Sequence, residues 1–158
     1  MNNKIKKLQD IYPDAYEVEC QLKPQQTPNE CFDNALKYSK AQGWELVGGW
    51  LLVDGNQAIP HIWNKKDKTH RDTTQFTRDW PMHIYIYSPG VSKWLNQMNE
   101  DYNNGKVGEG NIHTGYEWKD SQWIWTCPYR ACDEHFQKTY LGVSKDTYER
   151  LRNPVYGI

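Results

Sequence analysis

No stretch of this 158-residue chain stays apolar for long. A membrane-spanning helix needs about 20 mainly apolar residues, and no window approaches that. Charge of one sign is also missing: 19 Lys and Arg face 20 Asp and Glu, for a net charge of −1 with His neutral. That balance excludes a global basic field for nucleic acid, and it excludes an acidic tail. The start is briefly basic (Asn3–Lys7), but no apolar run of about 7–15 residues follows, so the sequence is read as lacking a secretory signal and as cytoplasmic. Cysteine is scarce, with only Cys20, Cys31, Cys127 and Cys132. Without an export signal, a disulfide framework is not expected and free thiols are the default. There is no internal repeat and no long low-complexity segment.

What is present is a globular composition, 37% hydrophobic and 25% charged. The length supports one core and is short for two. The expectation is a single domain over 1–158, its core at about 16–90 and an aromatic-rich extension at about 91–158. Eight Trp and eleven Tyr mark that extension and the core alike.

Local signals place the elements. Residues 4–11 suit a short helix, and 16–22 alternate as a strand, with Pro13 and Pro24 expected to interrupt regular structure. Thr27-Pro28-Asn29-Glu30 carries two helix-start signals. Thr27 and Glu30 make a capping box, and Pro28 occupies the first helical position. Gly43 is the natural stop. Strands follow at 44–53, 58–63, 69–74 and 83–87, with turns at 54–56 and 64–68. Gly48-Gly49 marks a bulge or the close approach of another backbone. A helix at 91–102, a glycine-rich loop at 103–110, a strand at 117–127 and a terminal helix at 145–152 complete the reading. The order is α+β: a helix packed on an antiparallel meander.

Cys31 lies in the first turn of the capped helix. Unpaired N–H groups and the positive end of the helix dipole favour thiolate there. The plain alternative is a small packed thiol. His61 falls in the next hairpin and Asp72 in its partner strand. With the turn centred between Lys66 and Asp67, the two are directly opposite on one face, about 4.5–5.5 Å apart at Cβ. A carboxylate so placed fixes the tautomer of the imidazole and leaves its other nitrogen as a base. Two substitutes are weighed and set aside: His70 as base, because it sits nearer the turn and lacks the His-x-Trp context, and Asn64 as orienter, because three residues past His61 it is expected to point elsewhere.

The run Cys31-Phe-Asp-Asn-Ala-Leu, Gly43-Trp44, Val47-Gly48-Gly49-Trp50, His61-Ile-Trp63-Asn64 and Asp72-Thr73-Thr74 resembles the core of the transglutaminase-like branch of the papain-like cysteine enzymes. The match covers about residues 28–74. It departs from the family where Thr73 stands in place of the usual proline, and the His-to-Asp connection is short. The resemblance implies Cys31 as nucleophile, His61 as general base and acid, and Asp72 as its orienter. It also implies an oxyanion-hole glutamine before the nucleophile, Gln25 or Gln26, beside the backbone N–H of Cys31. The chemistry implied is thiolate attack on an amide or acyl carbonyl of a peptide, protein or small amide. Hydrolysis is favoured over amine transfer, and no metal or organic cofactor is called for.

Other signals are weaker. Cys127, Cys132 and His135 suggest a zinc knuckle, but a fourth ligand is missing unless His113 or Asp133 serves, so no metal is expected. Trp63, Trp80, Trp123 and Trp125 are candidates for an aromatic substrate wall, with core packing as the alternative. No basic-aromatic interleave argues for nucleic acid. The rival reading is a fold relative without catalysis that binds or inhibits a partner, as a phage-encoded protein aimed at a host or defence component would.

Overall fold

The computed structural model describes residues 2–26, 31–53, 56–74, 83–104 and 115–126. The chain opens with helix α1 (Asn2–Ile11), whose Ile5 and Leu8, three residues apart on one face, are buried. Strands β1 (Tyr16–Val18) and β2 (Cys20–Gln26) follow with only Glu19 between them. Helix α2 (Cys31–Gln42) leads into β3 (Glu45–Val53), β4 (Gln57–Lys66), β5 (Thr69–Thr74) and β6 (His83–Tyr87). Helix α3 (Pro89–Asn103) and the hairpin β7 (Gly115–Lys119) and β8 (Gln122–Thr126) complete the described elements.

The main path of the sheet runs β1-β6-β3-β4-β5-β2, with β7 and β8 attached through β4. β1 and β2 are thus the two ends of that path, yet they are consecutive in sequence. The chain crosses from one edge to the other at Glu19, so the sheet must curl until its edges approach. The molecule is therefore α+β, with a curled and mostly antiparallel sheet.

Strand alternation divides the interior in two. Trp50, Leu52, Ala58, Ile62 and Ile86 point to the face covered by the helices, where they join Leu8, Ala35 and Leu95. Val47, Leu51, Val53, Trp63 and Tyr85 point the other way, into the concave side. Close approach of strands explains Gly49: a Cβ there would lie 1.9 Å from the carbonyl oxygen of Ile86. Gly43 ends α2 with φ +76, a left-handed conformation that glycine adopts without steric cost.

Several boundaries differ from those read in the sequence. The strand expected at 16–22 is two strands on opposite edges. β2 runs parallel to β5, which adds a parallel pair to the expected meander. Pro24 lies within β2 rather than ending it. β2 is an edge strand, where a missing N–H is tolerated, and the register shifts between Leu22 and Gln26. The expected turn at 64–68 shrinks to Asp67-Lys68, with Asp67 at φ 53. The strand expected at 117–127 is a hairpin turning at Asp120-Ser121, both at positive φ, the geometry a two-residue hairpin turn requires. The helix-start residues 27–30, the turn residues Asp54 and Gly55, most of the glycine-rich loop and the helix expected at 145–152 lie outside the described residues. No helix among those described is long and apolar enough to cross a membrane.

Candidate active site

Cys31 is the first residue of α2 and is half-buried. Its helix is tied to the sheet at several points. Asn64, fully buried on β4, donates from Nδ2 to the carbonyl of Ala35 at 2.9 Å. Asn34 donates to Thr74 Oγ1 at 3.2 Å. Arg71 on β5 stacks over Trp44 at 4.5 Å and donates to Tyr38 Oη at 2.7 Å. These links hold the start of α2 against the ends of β4 and β5. Asn64 therefore serves as an anchor for the helix, and the orienter considered at that position is absent.

His61 and Asp72 meet beside that helix start. The β4–β5 ladder pairs Lys66 with Thr69, Lys65 with His70 and Asn64 with Arg71. Continued, this register sets Asp72 opposite Trp63, two residues from the partner expected. A shift of two keeps the face unchanged. The imidazole reaches Asp72 on the diagonal, with Nε2 2.7 Å from Oδ2. An ionised carboxylate only accepts, so Nε2 carries the proton and donates. That leaves Nδ1 for the thiol of Cys31, which is hydrogen-bonded to His61 and to the Ile62 backbone.

Electrostatics follow from this arrangement. Burial works to raise the Cys31 thiol, but the positive His61 beside it, their hydrogen bond and the Ile62 main chain together carry it below its ordinary value. Burial works to lower His61, but the negative Asp72, then Cys31, push it up to about 10. Burial works to raise Asp72, but His61, Tyr85 and the Thr74 backbone hold it below its ordinary value. All three directions favour a thiolate, an imidazolium and a carboxylate in a row. Asp72, 1% exposed, has both oxygens engaged: Oδ1 accepts from the Thr74 N–H at 3.0 Å, and Oδ2 accepts from Tyr85 Oη at 2.6 Å as well as from His61.

Tyr85 is the residue of this cluster that the sequence reading did not single out. The signal was there: in His83-Ile-Tyr85-Ile-Tyr87 the alternation puts a polar-tipped ring on the concave face. What the sequence did not carry was the curl that brings β6 over β5.

The remaining candidates fall elsewhere. His70, 4% exposed, accepts from the Trp63 indole N–H at Nδ1, 2.8 Å away, and burial followed by the charge of Lys65 lowers its pKa. It is a neutral packing partner, away from the thiol. Trp63 is fully buried, and Trp123 and Trp125 pack in the helix-side core with Trp50 and Tyr116. Trp123 also donates to the Lys4 carbonyl at 2.8 Å. Burial leaves these three rings no open face, so the substrate wall expected of them is replaced by core packing. For Trp123 and Trp125 the reason is the hairpin: Trp118 pairs with Trp123 and Tyr116 with Trp125, folding these aromatics onto α1 and β4, while Trp63 is buried on the concave face with Leu51 and Tyr85. Gln25 and Gln26 end β2, and their side chains are outside the described set, as are Trp80, Cys127, Cys132 and His135. Among the described residues no group of three His, Cys, Asp or Glu is placed to hold a metal.

No protein-family model, curated protein or solved structure matches the chain.

Proposed function

We propose that this protein is a thiol-dependent acyl-transfer enzyme of the papain-like or transglutaminase-like kind, acting on an amide or peptide bond. The observation that carries the reading is the hydrogen bond from His61 Nε2 to Asp72 at 2.7 Å, together with the hydrogen bond between the same imidazole and the half-buried Cys31. A structural histidine has no need of a carboxylate on one side and a thiol at a helix start on the other.

In this reading the Cys31 thiolate attacks the carbonyl carbon and a C–S bond forms. The developing oxyanion is stabilised by backbone N–H groups at the start of α2, with Gln25 or Gln26 as further donor candidates. His61 gives its Nδ1 proton to the leaving nitrogen as the C–N bond breaks, which leaves a thioester on Cys31. Water then attacks the thioester, with His61 taking a proton. The C–S bond breaks, releasing the acid and restoring the ion pair. Hydrolysis is preferred to amine transfer because water is always at hand and no amine site is visible among the described residues.

The test is acylation by an activated ester such as p-nitrophenyl acetate, followed by intact mass and peptide mapping. The reading expects an acetyl adduct on Cys31 that is lost in His61→Ala. A chain that releases no p-nitrophenolate above background, and carries no adduct on Cys31, contradicts it and returns the protein to a binding or inhibitory role.

A further inference from the structure

Asp72 receives three hydrogen bonds, and one of them comes from a strand that does not adjoin its own. β6 and β5 are separated in the sheet by β3 and β4. In a flat sheet three strand spacings would put them about 14 Å apart. Tyr85 closes that span with a 2.6 Å contact because the sheet curls over this face. Its ring is held on the way by Trp63, edge-on at 5.2 Å, and lies tilted beside the His61 ring at 6.1 Å. The phenol must be the donor. Burial, then the charge of Asp72, raises its pKa and keeps it protonated, and the carboxylate can only accept.

We propose that Tyr85 is a positioning residue for the triad: its hydroxyl, bound to the same Asp72 oxygen that receives His61, fixes the carboxylate so that the imidazole faces Cys31. The assignment rests on the reading of Cys31, His61 and Asp72 as catalytic. The terminal torsion of an aspartate is broad and holds no orientation by itself. The Thr74 N–H pins Oδ1 from within β5, and Tyr85 pins Oδ2 from across the barrel-like interior. With both oxygens held, His61 meets a single acceptor at a fixed place.

Tyr85 has a second side. A cavity of about 580 Å³ opens at the seam where the sheet edges meet, lined by Val18, Cys20, Lys68, His70, His83 and Tyr85 among others. Tyr85 thus both lines this cavity and hydrogen-bonds Asp72, which is not among the lining residues. Losing the hydroxyl alone, in Tyr85→Phe, keeps that wall and removes only the hydrogen bond.

The groups facing Asp72 that can change charge are His61 on β4, Cys31 on α2, Cys20 on β2 and Tyr85 itself. Cys20 stays a neutral thiol, raised first by burial and then by Asp72. The experiment measures the rate of Cys31 alkylation by iodoacetamide against pH, in a Cys20→Ser background and with peptide mapping. Without the Tyr85 hydroxyl the carboxylate is held at one oxygen only, His61 is less well placed beside Cys31, and the thiolate loses part of its counter-charge and takes its proton at higher pH. Tyr85→Phe is expected to move the acid limb upward by about one pH unit. A 3-fluorotyrosine placed at position 85 is a stronger donor and is expected to move it downward, with the fold untouched. Limbs that superimpose on that of the background protein in both variants would overturn the role of Tyr85 alone. A background protein with no acid limb below the ordinary thiol range would overturn the triad reading and this one with it.

Discussion

His61 and Asp72 sit diagonally across the β4–β5 pair, just beyond its last ladder pair, Asn64 with Arg71. Directly opposed residues would crowd an imidazole and a carboxylate into about 5 Å at Cβ. The diagonal gives the ring room to extend and present Nε2 to Asp72 while Nδ1 is left for Cys31.

Removing the imidazole should therefore strip Cys31 of both its base and its counter-charge. His61→Ala is expected to slow Cys31 acylation by about 10²–10⁴-fold, the usual worth of a positioned acid–base group. Asp72→Asn should act in the same direction, because His61 then loses the charge that raises it. Stopped-flow release of p-nitrophenolate measures both.

The raised His61 and lowered Asp72 set opposite limits on stability. A group raised in the folded state stabilises it below the unfolded value and loses that effect as pH climbs through the folded value. For His61 the contribution is complete below pH 6.5 and fades as pH rises through about 10. Asp72 contributes above 3.8 and loses its contribution as pH falls through its lower folded value. Between 6.5 and 9.0 the proton that His61 keeps is offset by the one that Cys31 gives up, so the raised imidazole is read most directly from its own NMR signals, which should titrate through about pH 10. Signals that shift near pH 6.5 would contradict the raised imidazole.

Two glycines should respond differently to alanine. At Gly49 the added Cβ meets the Ile86 carbonyl oxygen at 1.9 Å, so backbone must move. Gly49→Ala is expected to cost about 1–3 kcal/mol or more. At Gly43 nothing lies within 4 Å and only the left-handed φ is strained, for about 1–2 kcal/mol. Urea unfolding midpoints should rank Gly49→Ala below Gly43→Ala.

Much of the site could be read before any coordinates existed. The helix carrying Cys31, the strands carrying His61 and Asp72, and the shared face of the latter two all follow from local periodicity and turn signals. The register error of two residues did no harm to that reading, because side-chain alternation has a period of two. Long-range closure was not legible in the same way. Nothing local in Val18-Glu19-Cys20 says that the chain leaves one sheet edge for the other, and so nothing announced Tyr85 over Asp72. The tryptophans were ambiguous for a related reason. Local sequence allowed Trp123 and Trp125 either a substrate wall or core packing, and the turn at Asp120-Ser121 folds them into the core.

His70 should prove structural. Trp63→Phe leaves Nδ1 of His70 without its 2.8 Å donor in a buried place, at a cost of about 1–3 kcal/mol. His70→Gln, which leaves Trp63 against His61 and Tyr85, should keep the preference of iodoacetamide for Cys31 over Cys20 intact. Chemical denaturation and peptide mapping separate the two effects, and a loss of that preference would place His70 in the chemistry.

The most direct measurement is the alkylation of Cys31 and Cys20 within one molecule, followed by mass mapping across pH. Both are half-buried thiols, but one lies beside an imidazolium and the other beside a carboxylate. The account predicts that Cys31 reacts rapidly well below the ordinary thiol range while Cys20 stays inert beyond it. Equal rates at the two sulfurs, rising together near pH 9, would contradict it.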